Sequence, residues 1–280
     1  MDALHDDLYA RSTAGLLPWV VQCALAERYG LTLADVESQA LALGLLPARY
    51  QRNRQTISVA QQLRLCRSRV AVIGCGGLGG YLLEELARLG VGTLVAVDPD
   101  IFEEHNLNRQ LLATPANLGH SKVAAAVARI GAVNPAVTVI PHQCAFGPEN
   151  GRELLGGAQV VLDALDSIPA RLALDAACAE LGLPLVHGAI GGWYGQVATL
   201  LPGDPTLSHL YRRPGESRGV EQQLGNPAFT PAVIASLQVA ETCKLLLDLP
   251  SPLRHAVLTI DLQAMDFEII PLGQGAERNN

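Results

Sequence analysis

The run Arg69-Val70-Ala71-Val72-Ile73 ends on a glycine-dense turn, Gly74-Cys75-Gly76-Gly77-Leu78-Gly79-Gly80, which passes directly into the helix-forming stretch 81–89. A short, uninterrupted apolar run bounded in this way fits a strand covered on both faces. Glycines at a strand-to-helix junction allow a tight turn and let the amides of the helix N-terminus approach an anion. The unit therefore reads as the opening of a doubly wound α/β sheet, with Gly74, Gly76, Gly77 and Gly79 as its phosphate-binding backbone. Asp98 closes a second apolar run, Leu94-Val95-Ala96-Val97, near the offset of roughly 20 residues at which such folds place a ribose-binding carboxylate. A nucleotide is the expected ligand. The glycines alone leave two uses open: NAD for hydride transfer, or ATP for adenylation.

The rest of the chain alternates in the same sense. Apolar runs at 70–73, 94–97, 137–140, 159–162 and 184–187 are separated by helical stretches at 78–89, 120–132, 150–155 and 169–181, which predicts a mainly parallel Rossmann-like sheet. The alternation Gln196-Val197-Ala198-Thr199-Leu200 predicts antiparallel pairing near the C-terminus, followed by a turn-rich polar segment, 202–227, that reads as a mobile surface loop with little core. A helix over 231–247 and strands over 256–260 and 265–270 follow. Before residue 48 the apolar spacing is helical, through Leu16, Val20, Val21, Ala24 and Leu25 and then Leu33, Val36, Ala40 and Leu41, with Gly30 and Gly44 as stops. We therefore expect an N-terminal helical extension over 1–48, a nucleotide-binding domain over 49–272 with a further helix at 58–66, and a polar tail over 273–280.

A chain of 280 residues with 49% hydrophobic content can bury a sizeable core. The net charge of −7 and the scattered Lys and Arg residues argue against a nucleic-acid sleeve. The acidic opening Met1-Asp2-Ala3-Leu4-His5-Asp6-Asp7 has no basic n-region and no stretch of membrane-spanning length follows it, so the expected setting is the cytoplasm, with no membrane partner. The six cysteines form no CxxC pair and read as small buried hydrophobes, not as a disulfide or zinc framework.

Four further stretches narrow the chemistry. They are Asp98-Pro99-Asp100-Ile101-Phe102-Glu103-Glu104-His105-Asn106-Leu107-Asn108-Arg109-Gln110, Gly119-His120-Ser121-Lys122-Val123-Ala124, Asn134-Pro135, and Val161-Leu162-Asp163-Ala164-Leu165-Asp166-Ser167. In this order and spacing, and over roughly residues 49 to 270, the chain resembles the MoeB/ThiF/HesA family, bacterial relatives of ubiquitin-activating enzymes. The resemblance implies an adenylyltransferase. A small ubiquitin-like sulfur carrier ending in Gly-Gly would present its carboxylate to the α-phosphate of ATP, in thiamine or molybdopterin-type cofactor synthesis. It assigns Arg109 and Lys122 to the phosphates, Asp98 to the ribose and Asp166 to Mg²⁺. Asp100, Asn106, Asn108, Gln110 and Ser167 would stand around the nucleotide. It also implies a homodimer in which Arg52, within Arg49-Tyr50-Gln51-Arg52, reaches the partner's ATP. Taken singly these residues have plainer readings: Asp166 as a helix cap before Pro169, Lys122 as a surface lysine, and Arg49, Arg52 and Arg54 as a solvated patch.

Two departures matter. The CxxC pairs that hold a structural zinc in many such proteins have no counterpart, the first place reading Asp204-Pro205-Thr206-Leu207-Ser208-His209-Leu210, so no structural zinc is expected. The loop where relatives carry a thioester-forming cysteine reads Ser217-Arg218-Gly219-Val220-Glu221, so the chemistry is expected to stop at the adenylate. Cys75, within the glycine turn, is expected to lie against the phosphates and not to accept an acyl group. Trp193 and Tyr194, flanked by glycines, are weaker candidates for contact with the carrier tail. Alternatives are a tRNA-modifying dehydratase of the same family, which the acidic charge disfavours, an NAD-dependent oxidoreductase, and a degenerate nucleotide-binding scaffold.

Overall fold

The N-terminal helices bury a small core of their own before the main sheet begins. In the computed structural model, which describes residues 2–204, 207, 210–211 and 224–272, the chain opens with α1 (Asp2–Ala10), β1 (Leu16–Leu17), α2 (Trp19–Tyr29), α3 (Leu33–Ala42) and β2 (Leu46–Pro47), the two short strands pairing in parallel. Gly30 ends α2 at φ 63°, and Thr32 and Asp35 cap α3 reciprocally. Leu8, Leu17, Leu25, Val36 and Ala40 are fully buried in one cluster. Sequence periodicity anticipates α2 and α3 but misses α1. Its acidic residues hide the single i, i+4 pair, Leu4 and Leu8, that the cluster buries.

A 3₁₀ turn, Ala48–Asn53, joins this extension to the rest. The buried Tyr50 hydroxyl donates to Glu37 Oε1 (2.8 Å) on α3 and accepts from Asn134 Nδ2 (2.9 Å). Asn134 also donates to the Ala87 carbonyl and accepts from Arg49, whose guanidinium lies 4.8 Å from the centre of the Trp19 ring. Burial raises the Glu37 carboxyl above the usual range, against the lowering pull of Tyr50 and Arg49.

The remaining elements are α4 (Val59–Cys66), β3 (Arg69–Ile73), α5 (Gly77–Leu89), β4 (Thr93–Val97), α6 (Lys122–Val133), β5 (Thr138–His142), α7 (Gly151–Leu155), β6 (Val160–Asp163), α8 (Ile168–Leu181), β7 (Leu185–Gly191), β8 (Tyr194–Leu200), α9 (Phe229–Leu246), β9 (Ala256–Asp261) and β10 (Asp266–Pro271). One eight-stranded sheet runs β10-β9-β8-β7-β6-β3-β4-β5. Strands β5, β4, β3, β6 and β7 are mutually parallel, while β8, β9 and β10 add on antiparallel. Alternation along each strand feeds two cores. Val70 and Val72 pack with α5, α6 and α9, whereas Ala71 and Ile73 pack with α7 and α8. Connections leave β3 in one direction and β6 in the other, so the chain reverses between these neighbours. The crevice beyond their C-terminal ends is where doubly wound sheets bind ligands.

The expected surface loop over 202–227 is described only in part. Leu207 within it is fully buried against the second core, so the segment contributes more to packing than its polar composition suggests. Residues 205–206, 208–209 and 212–223 of that segment, including 217–221, and the tail 273–280 lie outside the described residues.

One carboxylate makes stability depend on pH. Asp175 on α8 lines a cleft of about 300 Å³ with Leu172, Cys178, Leu185 and Leu200. Burial, and then the nearby Asp163 carboxylate, push it up to about 6. Because the folded value exceeds the unfolded one, the stability tied to its proton is complete below the unfolded value of about 3.8 and is lost as pH rises through about 6. Asp175→Asn is expected to stabilise the fold by roughly 1–2 kcal/mol at neutral pH and to flatten this part of the profile. Thermal unfolding measured from about pH 4 to about pH 7 checks it; parallel curves for both proteins would refute it.

Candidate nucleotide site

The glycine turn is shaped by close approach. Gly74 sits at φ 100°, and a Cβ there would come within 2.5 Å of the Ala164 carbonyl oxygen. A Cβ on Gly79 would fall 1.8 Å from the Gly74 oxygen. These two glycines bring α5 against the ends of β3 and β6. Gly76 caps α5 without any side-chain acceptor, leaving the first-turn amides with no intrahelical partner and aimed at the crevice. Cys75 does not line the cavity, against the expectation that it lies on the phosphates, and keeps to its reading as a small buried hydrophobe. Its side chain is fully buried, its thiol 3.9 Å from the Val97 carbonyl, and burial holds it well above the usual thiol range. The same effect pushes Cys66 and Cys178 up to about 12 and Cys243 up to about 11, which leaves these thiols poor nucleophiles.

Asp98 follows β4 and is held by two amides: Oδ2 accepts from Cys75 (2.6 Å) and Oδ1 from Asp100 (2.8 Å). Burial raises this carboxyl, and the two amides and Lys122 oppose the rise. The loop beyond it is anchored by buried Phe102, whose backbone pairs with His120 and Gly119, while the Lys122 amide donates to the Asp100 carbonyl. Two separate sequence motifs are thereby brought together. Lys122, the first residue of α6, is 6% exposed, with Nζ 2.9 Å from Asp100 Oδ2 and 4.0 Å from Asp98 Oδ1. A lysine so buried differs from the solvated helix residue that composition alone suggests.

Arg109 donates to the His105 carbonyl (3.0 Å) and to Asn108 Oδ1 (2.8 Å). Burial lowers its guanidinium from the ordinary value, and the Asp166 carboxylate, close enough to interact, pulls the other way. Asp166 itself is exposed, on the turn between β6 and α8. A cavity of about 390 Å³ beyond β3 and β6 is lined by Gly74, Gly76, Gly77, Asp98, Asp100, Arg109, Gln110, Lys122 and Asp166, a size in the range of small-molecule sites. Gln110 Oε1 and Asn226 Oδ1 are buried with no hydrogen-bond partner, although both residues line this cavity.

Five expected residues lie elsewhere. Gly79 serves helix packing. Asn106 turns inward, its Oδ1 accepting from the Glu103 amide (3.0 Å). Asn108 donates to the Asn226 carbonyl (3.1 Å), and Ser167 Oγ accepts from the Ala170 amide (3.3 Å) as the cap of α8. Arg52 is exposed on the 3₁₀ turn, outside the cavity of its own chain. Conversely, sequence reading passes over Arg171 and Asn226. Arg171 is only 3% exposed and lines the cavity from α8; an arginine amid the apolar residues of a helix after Asp166 was the available signal. Asn226 was hidden in the presumed loop, where Gly225-Asn226-Pro227 marked a defined turn.

The ThiF family profile matches residues 50–279. The chain belongs to the ThiF family. Within that family it is 38% identical over 212 residues to the SAMP-activating enzyme E1 of Haloferax volcanii, covering 75% of this chain and 78% of the relative. It is 37% identical over 214 residues to the sulfur carrier protein adenylyltransferase of Thermus thermophilus, covering 74% and 79%. The crystal structure of E. coli MccB with ATP superposes with a TM-score of 0.66 over 82% of this chain and 72% of that one. At 19% identity that likeness speaks for the fold alone. The ThiF match begins at Tyr50, so α1, α2 and α3 precede it. Among the described residues no helix is long and apolar enough to cross a membrane.

Proposed function

We propose that this ThiF-family protein adenylates the C-terminal glycine carboxylate of a small ubiquitin-like sulfur carrier, with ATP as donor and pyrophosphate as leaving group. The observation that carries the reading is the convergence of an uncapped helix N-terminus, Asp98, Arg109, Lys122 and Asp166 on one cavity. A carboxylate oxygen attacks the α-phosphorus, the bond from that phosphorus to the oxygen bridging the β-phosphate breaks, and pyrophosphate departs. Such a displacement needs alignment and neutralised charge more than covalent help. The α5 amides, Arg109 and Lys122 meet the phosphates, and Asp98, preset by two amides, takes the ribose hydroxyls. Lys122 is held in place by Asp100 before any ligand arrives, so its orientation costs little at the moment of reaction.

Among the described residues no group of three or more His, Cys, Asp and Glu is arranged to hold a metal. A lone Asp166 carboxylate beside phosphate oxygens nevertheless fits Mg²⁺, which takes one or two carboxylates together with substrate phosphates. Bound there, the ion supplies neutralisation of the polyphosphate charge. The carrier tail enters past exposed Trp193, packed at a tilt against Phe229 with centroids 4.4 Å apart, and Tyr194 beside it. The chain acts as a homodimer, with Arg52 completing the partner's site. In the absence of a cysteine over 217–221, a separate sulfur donor takes over the acyl-adenylate, in thiamine or molybdopterin-type cofactor synthesis.

ATP–pyrophosphate exchange with each Gly-Gly-ended carrier of the same cell tests the reading. Exchange that depends on one carrier, and is lost when its last glycine is removed, is the expected result. Absence of exchange with every carrier, alongside tight NAD binding, overturns it.

A further inference from the structure

Beneath the cavity a closed ring of hydrogen bonds surrounds the peptide that precedes Asp166. The Leu165 amide donates to Asp163 Oδ1 (2.9 Å), and the Leu165 carbonyl accepts from Arg171 Nε (3.1 Å) and Nη2 (2.6 Å). The third guanidinium nitrogen, Nη1, donates to the Tyr211 hydroxyl (2.9 Å). That hydroxyl lies 3.2 Å from His187 Nε2 and accepts from Gln196 Nε2 (3.3 Å), and His187 Nδ1 lies 2.7 Å from Asp163 Oδ2. Asp163 and His187 are fully buried and Arg171 nearly so.

Donors and acceptors match around the ring. Asp163, accepting from Nδ1–H, fixes the tautomer that leaves Nε2 as an acceptor, which the Tyr211 hydroxyl and Gln196 Nε2 each approach to 3.2 Å. The Tyr211 oxygen then accepts from Arg171 and Gln196. Four members belong to β6, β7, β8 and α8. Among the described residues, Tyr211 is the member that comes from the chain following β8. In a buried network of this kind, removing one hydroxyl loosens what the other members hold. Arg171 is thereby the link between Tyr211 and the carbonyl immediately before the cavity carboxylate.

We infer that Tyr211 is a positioning residue for Asp166, acting through Arg171 and the Leu165 carbonyl. This rests on the reading of Asp166 as a residue of the adenylation site. A ring that served packing alone would affect stability but would have no particular connection with Asp166.

Tyr211→Phe keeps the ring and volume and deletes only the hydroxyl. In the free protein, amide hydrogen exchange across residues 164–167 is expected to rise on the order of tenfold, with β3 and β4 amides unchanged. In carrier-dependent ATP–pyrophosphate exchange, kcat is expected to fall on the order of tenfold while KM for ATP stays within about twofold. In an Asp166→Asn background the same change should add no further loss, because the two act as one unit. Arg171→Lys, which keeps the charge but loses the paired donors, should reproduce the signature. Unchanged amide exchange over 164–167 in both variants, or full additivity with Asp166→Asn, overturns the proposal. If the wild-type protein shows no carrier-dependent exchange, the adenylation reading fails separately, and the amide measurement still decides whether Tyr211 governs this turn.

Discussion

Asp166→Ala and Arg109→Ala are each expected to lower carrier-dependent ATP–pyrophosphate exchange by roughly 10²–10³-fold while leaving the unfolding midpoint within a few degrees of wild type. Asp166 is exposed, and among the described residues the side-chain hydrogen bonds of Arg109 go to its own loop, at His105 and Asn108. Removing either side chain strips charge from the cavity without opening a core. Lys122 makes a less clean test, because its loss leaves Asp98 and Asp100 facing each other near a buried amide cluster. Wild-type rates in either variant would refute the assigned roles. The same variants test the dimer. If Arg52 acts on the partner's nucleotide, mixing inactive Arg52→Ala and Arg109→Ala proteins should restore roughly a quarter of wild-type activity, since half of the dimers then carry one intact site. No recovery would make Arg52 a surface charge.

Gly79→Ala is expected to destabilise the fold strongly, by at least about 3 kcal/mol out of a typical 5–15. The new methyl would stand 1.8 Å from the Gly74 carbonyl oxygen, a backbone atom fixed in turn by the approach of Gly74 to Ala164. No rotamer can relieve such a clash; α5 must move away from β3. Gly77→Ala is the control, because its Cβ would meet nothing nearer than 3.7 Å from Pro231 and Ile190. Chemical denaturation of the two variants separates them. Equal stability would show that the helix shifts at little cost.

The layout of the sheet was legible because its strands are short apolar runs and its helices repeat at helical spacing, two periods that rarely imitate each other. Termini moved by a few residues, as at β7, which extends through Gly191 beyond the apolar run 184–187. Cavity residues borne on motifs, such as Lys122 and Asp98, were found because their neighbours in the chain carry the pattern. Arg171 was not, since the Leu165 carbonyl and the Tyr211 hydroxyl that it meets are far apart in sequence and are brought together only by the fold. The direction of a side chain was equally hidden: Cys75 faces the core and Asn106 caps a turn, and neither fact is written in residue type. The acidic start of the chain hid α1, whose two leucines acquire meaning only from the cluster they complete.

The bond set around Tyr50 carries a consequence for how this protein can vary. Tyr50 and Asn134 lie within the ThiF match, but Glu37 lies before it, on the appended helices. A relative with the same tyrosine and asparagine but no such helices must offer the hydroxyl proton to solvent or to another acceptor. In this chain the three positions form one buried hydrogen-bonded unit. A change at Glu37 asks for a change at Tyr50, and any graft or truncation drawn at the family boundary cuts through a buried hydrogen bond instead of a linker.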